Sequence, residues 1–212
     1  MNNSDPKTGS GYFYIDASHS HSHDYLYPVV SQLLEGLDLS SGNRRIFEVG
    51  CGNGSTAKWL SGKNFDVIGI DPSQDGIKQA NTIYPEIRLE TGDTNSNLSS
   101  QYGQFPVVLS LEVVEHVYFP RDYARRVYEL VEDDGVAILS TPYHGYWKNL
   151  ALAISGKMDE HFTALWDYGH IKFWSERTLR ILLLGAGFES VEFKRVGRIR
   201  PLAKSMIAVA RK

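Results

Sequence analysis

The strongest constraint on this chain is a series of short apolar runs separated by stretches with helical spacing. The runs are Arg45–Val49, Phe65–Ile70, Ile87–Thr91, Phe105–Leu111 and Val136–Ser140. Most carry apolar residues at neighbouring positions, not at every second one, which suits a strand buried on both faces. Between them, Asp24–Leu37 has Leu26, Val29, Val30, Leu33, Leu34 and Leu37 at three- and four-residue spacing. That spacing predicts a helix, with Asp24 as its cap. Arg121–Val131 puts Tyr123, Val127 and Leu130 on one helical face. Further helices are predicted from Ser55 to Leu60, after Ser73 through Tyr84, and from Ser175 to about Leu184, where Gly185 and Gly187 end it. Val191–Val196 and Ser205–Ala210 read as closing strands. Strands alternating with helices imply an α/β fold with a parallel sheet covered on both sides. Ligands bind such sheets at the carboxyl ends of the strands, near the point where strand order reverses. The loops after Val49, Ile70, Thr91 and Leu111 should therefore share one crevice.

With 212 residues, the chain is expected to form a single domain. Residues 1–40 would be an N-terminal cap segment and helix, and residues 143–174 a lid. The lone cysteine, Cys51, rules out an intramolecular disulfide and a cysteine-based zinc site. It fits a reducing compartment, and a cytoplasmic location is expected. No apolar run approaches transmembrane length, and Met1–Gly11 has no secretory apolar core. A net charge of −3 argues against a dedicated nucleic-acid-binding protein. The charge is uneven, however. Residues 172–212 hold ten Lys or Arg against three acids, an excess of seven, so the remainder carries −10. This basic region reads first as a solvated face, and alternatively as a site for an anionic substrate or headgroup.

Glu48-Val-Gly50-Cys51-Gly52-Asn53-Gly54 leaves the first strand and opens a helix. Glycines there permit a tight turn and close approach of backbone to a ligand. Asp71 ends the next strand, where a carboxylate can accept both ribose hydroxyls. Nicotinamide sites use G-x-G-x-x-G, and here the third glycine comes one residue early. Glu48 would also repel a pyrophosphate, whereas it suits an ammonium or sulfonium group.

On these residues the chain resembles the class I S-adenosylmethionine (SAM)-dependent methyltransferases. Their E/D-x-G-x-G-x-G motif stands at Glu48–Gly54, their ribose-binding acid at Asp71 in Gly69-Ile-Asp-Pro-Ser73, and their adenine-loop acid at Asp93 in Thr91-Gly-Asp-Thr94. The resemblance implies a Rossmann-like, seven-stranded mixed sheet with helices on both faces and the last strand antiparallel. It implies SAM as cofactor, held by Glu48, Gly50, Cys51, Gly52, Asp71, Pro72, Asp93, Thr94 and Leu111. One departure is Phe105-Pro106, where this family often has Tyr/Phe-Asp. Since proline cannot donate to a ladder, the fourth strand is expected to begin at or just after Pro106.

Ser110-Leu-Glu112-Val-Val-Glu115-His116-Val-Tyr-Phe-Pro120 leaves the fourth strand. Its E-x-x-E-H-x-x-x-P pattern is similar to the ubiquinone-biosynthesis O-methyltransferase branch. Methyl transfer to a hydroxyl needs alignment and removal of a proton, and an imidazole can take that proton. His116, with Glu115 beside it, is the expected catalytic group. Two carboxylates and a histidine on one turn can also hold a hard divalent cation. Small-RNA 2′-O-methyltransferases share that arrangement, with a further histidine in a segment resembling Asp167–Trp174. A divalent metal on Glu112, Glu115, His116 and His170 is thus an alternative, though not the favoured one. The aromatic-rich span Tyr143–Trp174 is the expected acceptor pocket, with Tyr143, His144, Trp147 and His170 as substrate contacts. His19, His21 and His23 alternate in a segment read as solvated or cofactor-covering, and Tyr12 and Tyr14 could close over the donor. The expected activity is methyl transfer to a small molecule, most readily at a hydroxyl oxygen. The alternatives are a metal-assisted RNA 2′-O-methyltransferase and a non-catalytic SAM-binding regulatory module.

Overall fold

Parallel strands need helical crossovers, and the chain supplies them in order. The computed structural model describes residues 22–39, 42–162 and 164–212. His19, His21, Tyr12 and Tyr14 lie outside the described residues. The elements run α1 (His23–Glu35), β1 (Arg45–Val49), α2 (Ser55–Ser61), β2 (Asp66–Asp71), α3 (Gln74–Ile83), β3 (Arg88–Thr91), α4 (Leu98–Tyr102) and β4 (Phe105–Leu111). They continue with α5 (Pro120–Leu130), β5 (Val131–Pro142), α6 (Tyr146–Ile154), α7 (Met158–Phe162), α8 (Glu176–Ala186), β6 (Ser190–Val196), a 3-10 turn at Arg200–Leu202, and β7 (Ser205–Arg211).

The seven strands form one sheet in the order β3-β2-β1-β4-β5-β7-β6. β1 pairs in parallel with both β2 and β4, and β7 runs antiparallel between β5 and β6. This is the expected mixed sheet with its last strand reversed. Strand order reverses on either side of β1, so the crevice opens at the carboxyl ends of β1 and β4. Neighbouring residues of each central strand enter opposite cores. Phe47, Val108 and Leu139 pack with Leu98, Val127, Leu130, Leu179 and Leu183 of α4, α5 and α8. Ile46, Val107 and Ile138 pack with Leu26, Val30, Leu60, Ile77 and Ala80 of α1, α2 and α3. Two-sided burial is what the apolar runs required.

Several boundaries differ from expectation. β4 starts at Phe105, not after Pro106: Phe105 pairs with Val131, but Val107 pairs with Val136. A bulge in β5 over residues 132–135 absorbs the mismatch, so Pro106 falls where the ladder is interrupted. The Asp134 turn, at φ 63°, therefore lies inside a strand that begins five residues earlier than expected. Asp24 sits in the first turn of α1, and Ser22 holds the N-cap position. α6, Tyr146–Ile154, lies within the aromatic-rich span Tyr143–Trp174. The five-residue helices α4 and α7 are too short to display a helical period. α8 opens with a reciprocal cap, Ser175 Oγ accepting from Thr178 N while Thr178 Oγ1 accepts from Ser175 N. Gly187, at φ 122°, ends it, while Gly185 lies inside its last turn.

Gly54 caps α2 at φ 78°, and a Cβ there would meet Leu89 at 2.7 Å and Ala80 at 3.0 Å. Gly54→Ala should destabilise the fold by about 2–4 kcal/mol, from left-handed strain plus overpacking. Gly185 is exposed with nothing within 4 Å of such a Cβ, so Gly185→Ala should stabilise by about 0.5–1 kcal/mol. Urea unfolding of the two variants should move the midpoint in opposite directions.

Candidate active site

The glycine loop is tied down from beneath. Gly50 N and Cys51 N both donate to Ile70 O, at 2.8 and 3.0 Å, which fixes the loop against the end of β2. Gly50 has φ 82°, and any Cβ would collide with the Val113 side chain of the neighbouring loop. Asp71 caps this arrangement. One carboxylate oxygen accepts from Gly52 N at 2.9 Å and the other from Ser73 N at 2.8 Å. Burial raises the Asp71 pKa, and these two backbone donors oppose the rise. Each oxygen keeps a lone pair for a hydroxyl. Gly92 N donates to Asp71 O, which brings the Asp93 loop alongside. Asp93 is exposed, accepting from Asn95 N and Asn95 Nδ2, both at 2.8 Å. Pro72 is exposed, and Thr94 and Leu111 are half-buried around the same edge. The Cys51 thiol is buried, and burial with the nearby Glu48 and Asp71 charges pushes its pKa up.

Glu48 is 2% exposed, and among the described residues its Oε2 has no hydrogen-bond partner. Burial, then the Asp71 charge, raises its pKa to about 8, with Thr56 opposing. An orphaned carboxylate oxygen beside close backbone fits a ligand that brings an ammonium group. Of its neighbours Tyr27 carried no sequence signal, whereas His23 belongs to the histidine run read as solvated or cofactor-covering. Tyr27 donates to Thr56 Oγ1 at 3.1 Å, stacks on Trp59 with centroids 4.1 Å apart, and lies close enough to feel the Glu48 charge. His23 Nδ1 lies 3.0 Å from the Tyr27 hydroxyl, and its ring stacks on the Tyr27 ring. The first turn of α1 thus walls the glycine loop, although its sequence shows only an amphipathic helix.

The acid–histidine loop leaves β4 through Glu112, a non-glycine residue at φ 56°. That strained conformation is held by reciprocal bonds. Glu112 N donates to Ser140 Oγ at 3.0 Å, and Ser140 Oγ donates to the Glu112 carboxylate at 2.8 Å. Ser205 Oγ reaches the other Glu112 oxygen at 3.3 Å. Burial raises the Glu112 pKa to about 7. Glu115 is 1% exposed, and among the described residues neither carboxylate oxygen has a hydrogen-bond partner within 3.5 Å, although the Thr141 hydroxyl is close enough to oppose the rise in its pKa. Burial, then the Glu112 charge, pushes its pKa well above the carboxylate range.

The segment between α7 and α8 is laced to this loop, mainly through backbone. Ile171 N and Lys172 N donate to Glu115 O at 2.9 and 3.0 Å, and Trp174 Nε1 donates to Val114 O at 3.2 Å. His116 Nδ1 lies 3.0 Å from Tyr168 O and 3.3 Å from Gly169 O. Two carbonyls can be satisfied only if Nδ1 carries the proton, which leaves the basic lone pair on Nε2. Burial lowers the His116 pKa, with these two carbonyls opposing. His170 stacks edge-on to His116, with centroids 4.9 Å apart. Its pKa falls to about 4, first from burial and then from the neighbouring His116, His161 and Lys148.

Glu115, His116 and His170 offer ligand atoms within 4.8 Å of one another. One unsatisfied carboxylate and two neutral imidazoles suit a divalent cation. Glu112, the fourth ligand expected from sequence, is not in this cluster, because Ser140 and Ser205 hold its carboxylate toward β5 and β7. The expected acceptor contacts also separate. Tyr143 is 6% exposed in the core, under the Arg195 guanidinium at 4.5 Å, and Trp147 is 64% exposed on α6. His144 is buried among His161, Phe162 and Phe173, its pKa pushed down to about 4, first by burial.

The Glu48 carboxyl generates a prediction for the unliganded protein. Its folded pKa, about 8, lies above the ordinary 4.5. The stability it contributes is full below pH 4.5 and is lost as pH rises toward 8. Between pH 5 and 8.5, Glu48→Gln should make the pH-dependent loss of unfolding free energy shallower, by on the order of a few kcal/mol. Parallel slopes for variant and wild type in urea titrations would contradict this.

Comparison with known proteins agrees with the geometry. Residues 21–192 match the family model described as a methyltransferase domain. The ubiquinone biosynthesis O-methyltransferase of Azorhizobium caulinodans is 34% identical over 156 residues, covering 70% of this chain and 60% of that protein. Its counterpart from Ruegeria pomeroyi is 30% identical over 155 residues, covering 71% and 62%. The chain thus spans about three fifths of the length of these relatives. In fold it is similar to a SAM-dependent methyltransferase from Archaeoglobus fulgidus, with TM-score 0.63 and 18% identity over 88% of this chain and 94% of that one. It is equally similar to the magnesium protoporphyrin IX methyltransferase of Synechocystis, solved with bound SAH, with TM-score 0.63 and 19% identity over 87% and 82%. The chain belongs to the methyltransferase-domain family, as a class I SAM-dependent member with ubiquinone-biosynthesis O-methyltransferases among its relatives.

Proposed function

We propose that this chain methylates a hydroxyl oxygen of a small molecule, with SAM in the crevice and residues 143–174 closing the acceptor side. The single observation that carries the cofactor half is the buried Glu48 oxygen without a partner at the carboxyl edge of β1. Glu48 faces the methionine ammonium, Gly50 and Gly52 give close backbone, Asp71 takes the ribose and Asp93 the adenine. SAM, when bound, supplies a methyl group activated on a sulfonium. The chain's own part is alignment and proton removal. His116 accepts the hydroxyl proton on Nε2, while the Tyr168 and Gly169 carbonyls hold the ring through Nδ1. Glu115 lies beside His116, its pKa raised by burial and the Glu112 charge, and would stabilise the imidazolium only in its ionised form. No helix among the described residues is long and apolar enough to cross a membrane. With one buried cysteine, a cytoplasmic reaction is the natural setting.

The cluster of Glu115, His116 and His170 favours a second reading, in which the three hold a divalent cation. Such a cation would lower the pKa of an acceptor hydroxyl and orient it. Retained methyl transfer in excess chelator selects His116 as the base. Loss of activity in chelator, with recovery on adding Mn²⁺, selects the metal.

Isothermal titration with S-adenosylhomocysteine tests the cofactor reading. Binding at neutral pH should release a proton, because the ligand's ammonium pulls Glu48 into its ionised form. Titrations in two buffers of different ionisation enthalpy measure that proton. Glu48→Gln should abolish its release, and Asp71→Ala should weaken binding about tenfold or more, the loss of hydrogen bonds to a charged group. No binding at millimolar ligand would overturn the reading. If His116 is the base, His116→Ala should lower kcat about 10²–10⁴-fold. Wild-type activity should then rise with pH through a limb below 6.5, because only neutral imidazole accepts the proton and burial has lowered its pKa. A regulatory module would bind the cofactor yet turn over no acceptor.

A further inference from the structure

A cavity of about 600 Å³ opens beside the acid–histidine loop, and its charge is one-sided. It lies between α6, the 3-10 turn at Arg200–Leu202 and the start of β7, and it reaches Glu112 and His170. Lys148, Lys157, Arg198 and Lys204 line it. Among the described residues, its one lining carboxylate is Glu112, already engaged by Ser140 and Ser205. None of the four cations has a carboxylate within 4.0 Å among the described residues.

Lys157, Arg198 and Lys204 are exposed and can be hydrated. Lys148 is far less open to solvent, being only 9% exposed. Its ammonium donates to Lys204 O at 3.2 Å, which satisfies one of three donors. Burial, then the Arg198 charge, lowers its pKa to about 8, which still leaves it mostly charged near neutrality. A buried ammonium next to a like charge costs stability, and the Glu112 charge offsets only part of that cost. An anionic ligand would be drawn to this group of cations and would satisfy the remaining donors. Two of the four cations, Arg198 and Lys204, belong to the basic region visible in the sequence.

We propose that the acceptor is itself an anion: a hydroxyl-bearing small molecule whose carboxylate or phosphate-type group sits against Lys148, Lys157, Arg198 and Lys204, with its hydroxyl directed toward His116. The proposal rests on the methyltransferase reading of the same site and names its substrate class. Leu152 and Leu202 supply apolar wall for the part of the molecule between the two ends.

The test uses the full chain and three probes: 4-hydroxybenzoate, 4-hydroxyphenylphosphonate and the neutral 4-hydroxybenzamide. Affinities are measured by titration in the presence of S-adenosylhomocysteine. Both anions should bind at least tenfold more tightly than the amide, and the tighter of the two identifies the oxyanion. Lys148→Met should remove most of that preference. The double substitution Lys157→Gln/Arg198→Gln changes only exposed residues and should reduce the preference severalfold. In both variants S-adenosylhomocysteine affinity should be unchanged. Equal affinity for amide and anions, binding by none of the three at 10 mM, or a preference that survives both variants would overturn the proposal. An anion preference in a chain that does not bind S-adenosylhomocysteine would instead overturn the cofactor reading, so the two failures are distinguishable.

Discussion

Three carboxyl groups, those of Glu48, Glu112 and Glu115, are held in or against the interior at one edge of the sheet, and the cost of desolvating them organises everything around them. Each has its pKa raised by burial before any neighbour acts. A fold keeps such groups only where the frame beneath is rigid enough to prevent their escape to water. That frame is the central parallel ladder. Ser110 Oγ donates to Val49 O at 2.8 Å and accepts from the Tyr123 hydroxyl at 2.7 Å, joining β1, β4 and α5 at that edge. The three acids are solved differently. Glu112 is satisfied by two serine hydroxyls from β5 and β7, whereas Glu48 and Glu115 keep unsatisfied oxygens.

The same edge carries a division of charge. The glycine loop and its neighbours offer carboxylates, which suit a cationic methyl donor. The opposite wall, built from α6 and the start of β7, offers lysines and an arginine. A net charge of −3 is the sum of these two unlike environments. The histidines lie between them. Burial lowers the pKa of His116, His144, His161 and His170 alike, so the site meets its ligands with neutral imidazoles as acceptors.

Much of the fold was legible in the chain because two-sided burial leaves a local trace. Ile46 and Phe47 both had to be apolar, since they enter opposite cores. The glycine loop was legible for a related reason: Gly50 and Gly54 occupy backbone conformations and contacts that exclude a side chain. What local patterns do not encode was missed. The β5 bulge is a register property shared by two strands, and α4 and α7 are shorter than the spacing that would reveal them. Aromatic content did not separate Tyr143, committed to the core, from residues that face the cavity.

By itself, the sequence determined the sheet, the crevice, the glycine loop with Glu48 and Asp71, and the clustering of acids with histidine after β4. Those features depend on residues close in the chain, where spacing alone sets geometry. Only the tertiary structure decided which of the clustered groups meet. It brings His170 to His116 across more than fifty residues and turns Glu112 away to Ser205, and it joins Lys148 with Arg198 and Lys204 around one cavity. It also brings Tyr27 from α1 to Thr56. Side chains so distant in sequence meet only through the packing of lid and helices onto the sheet, and no local spacing records that packing.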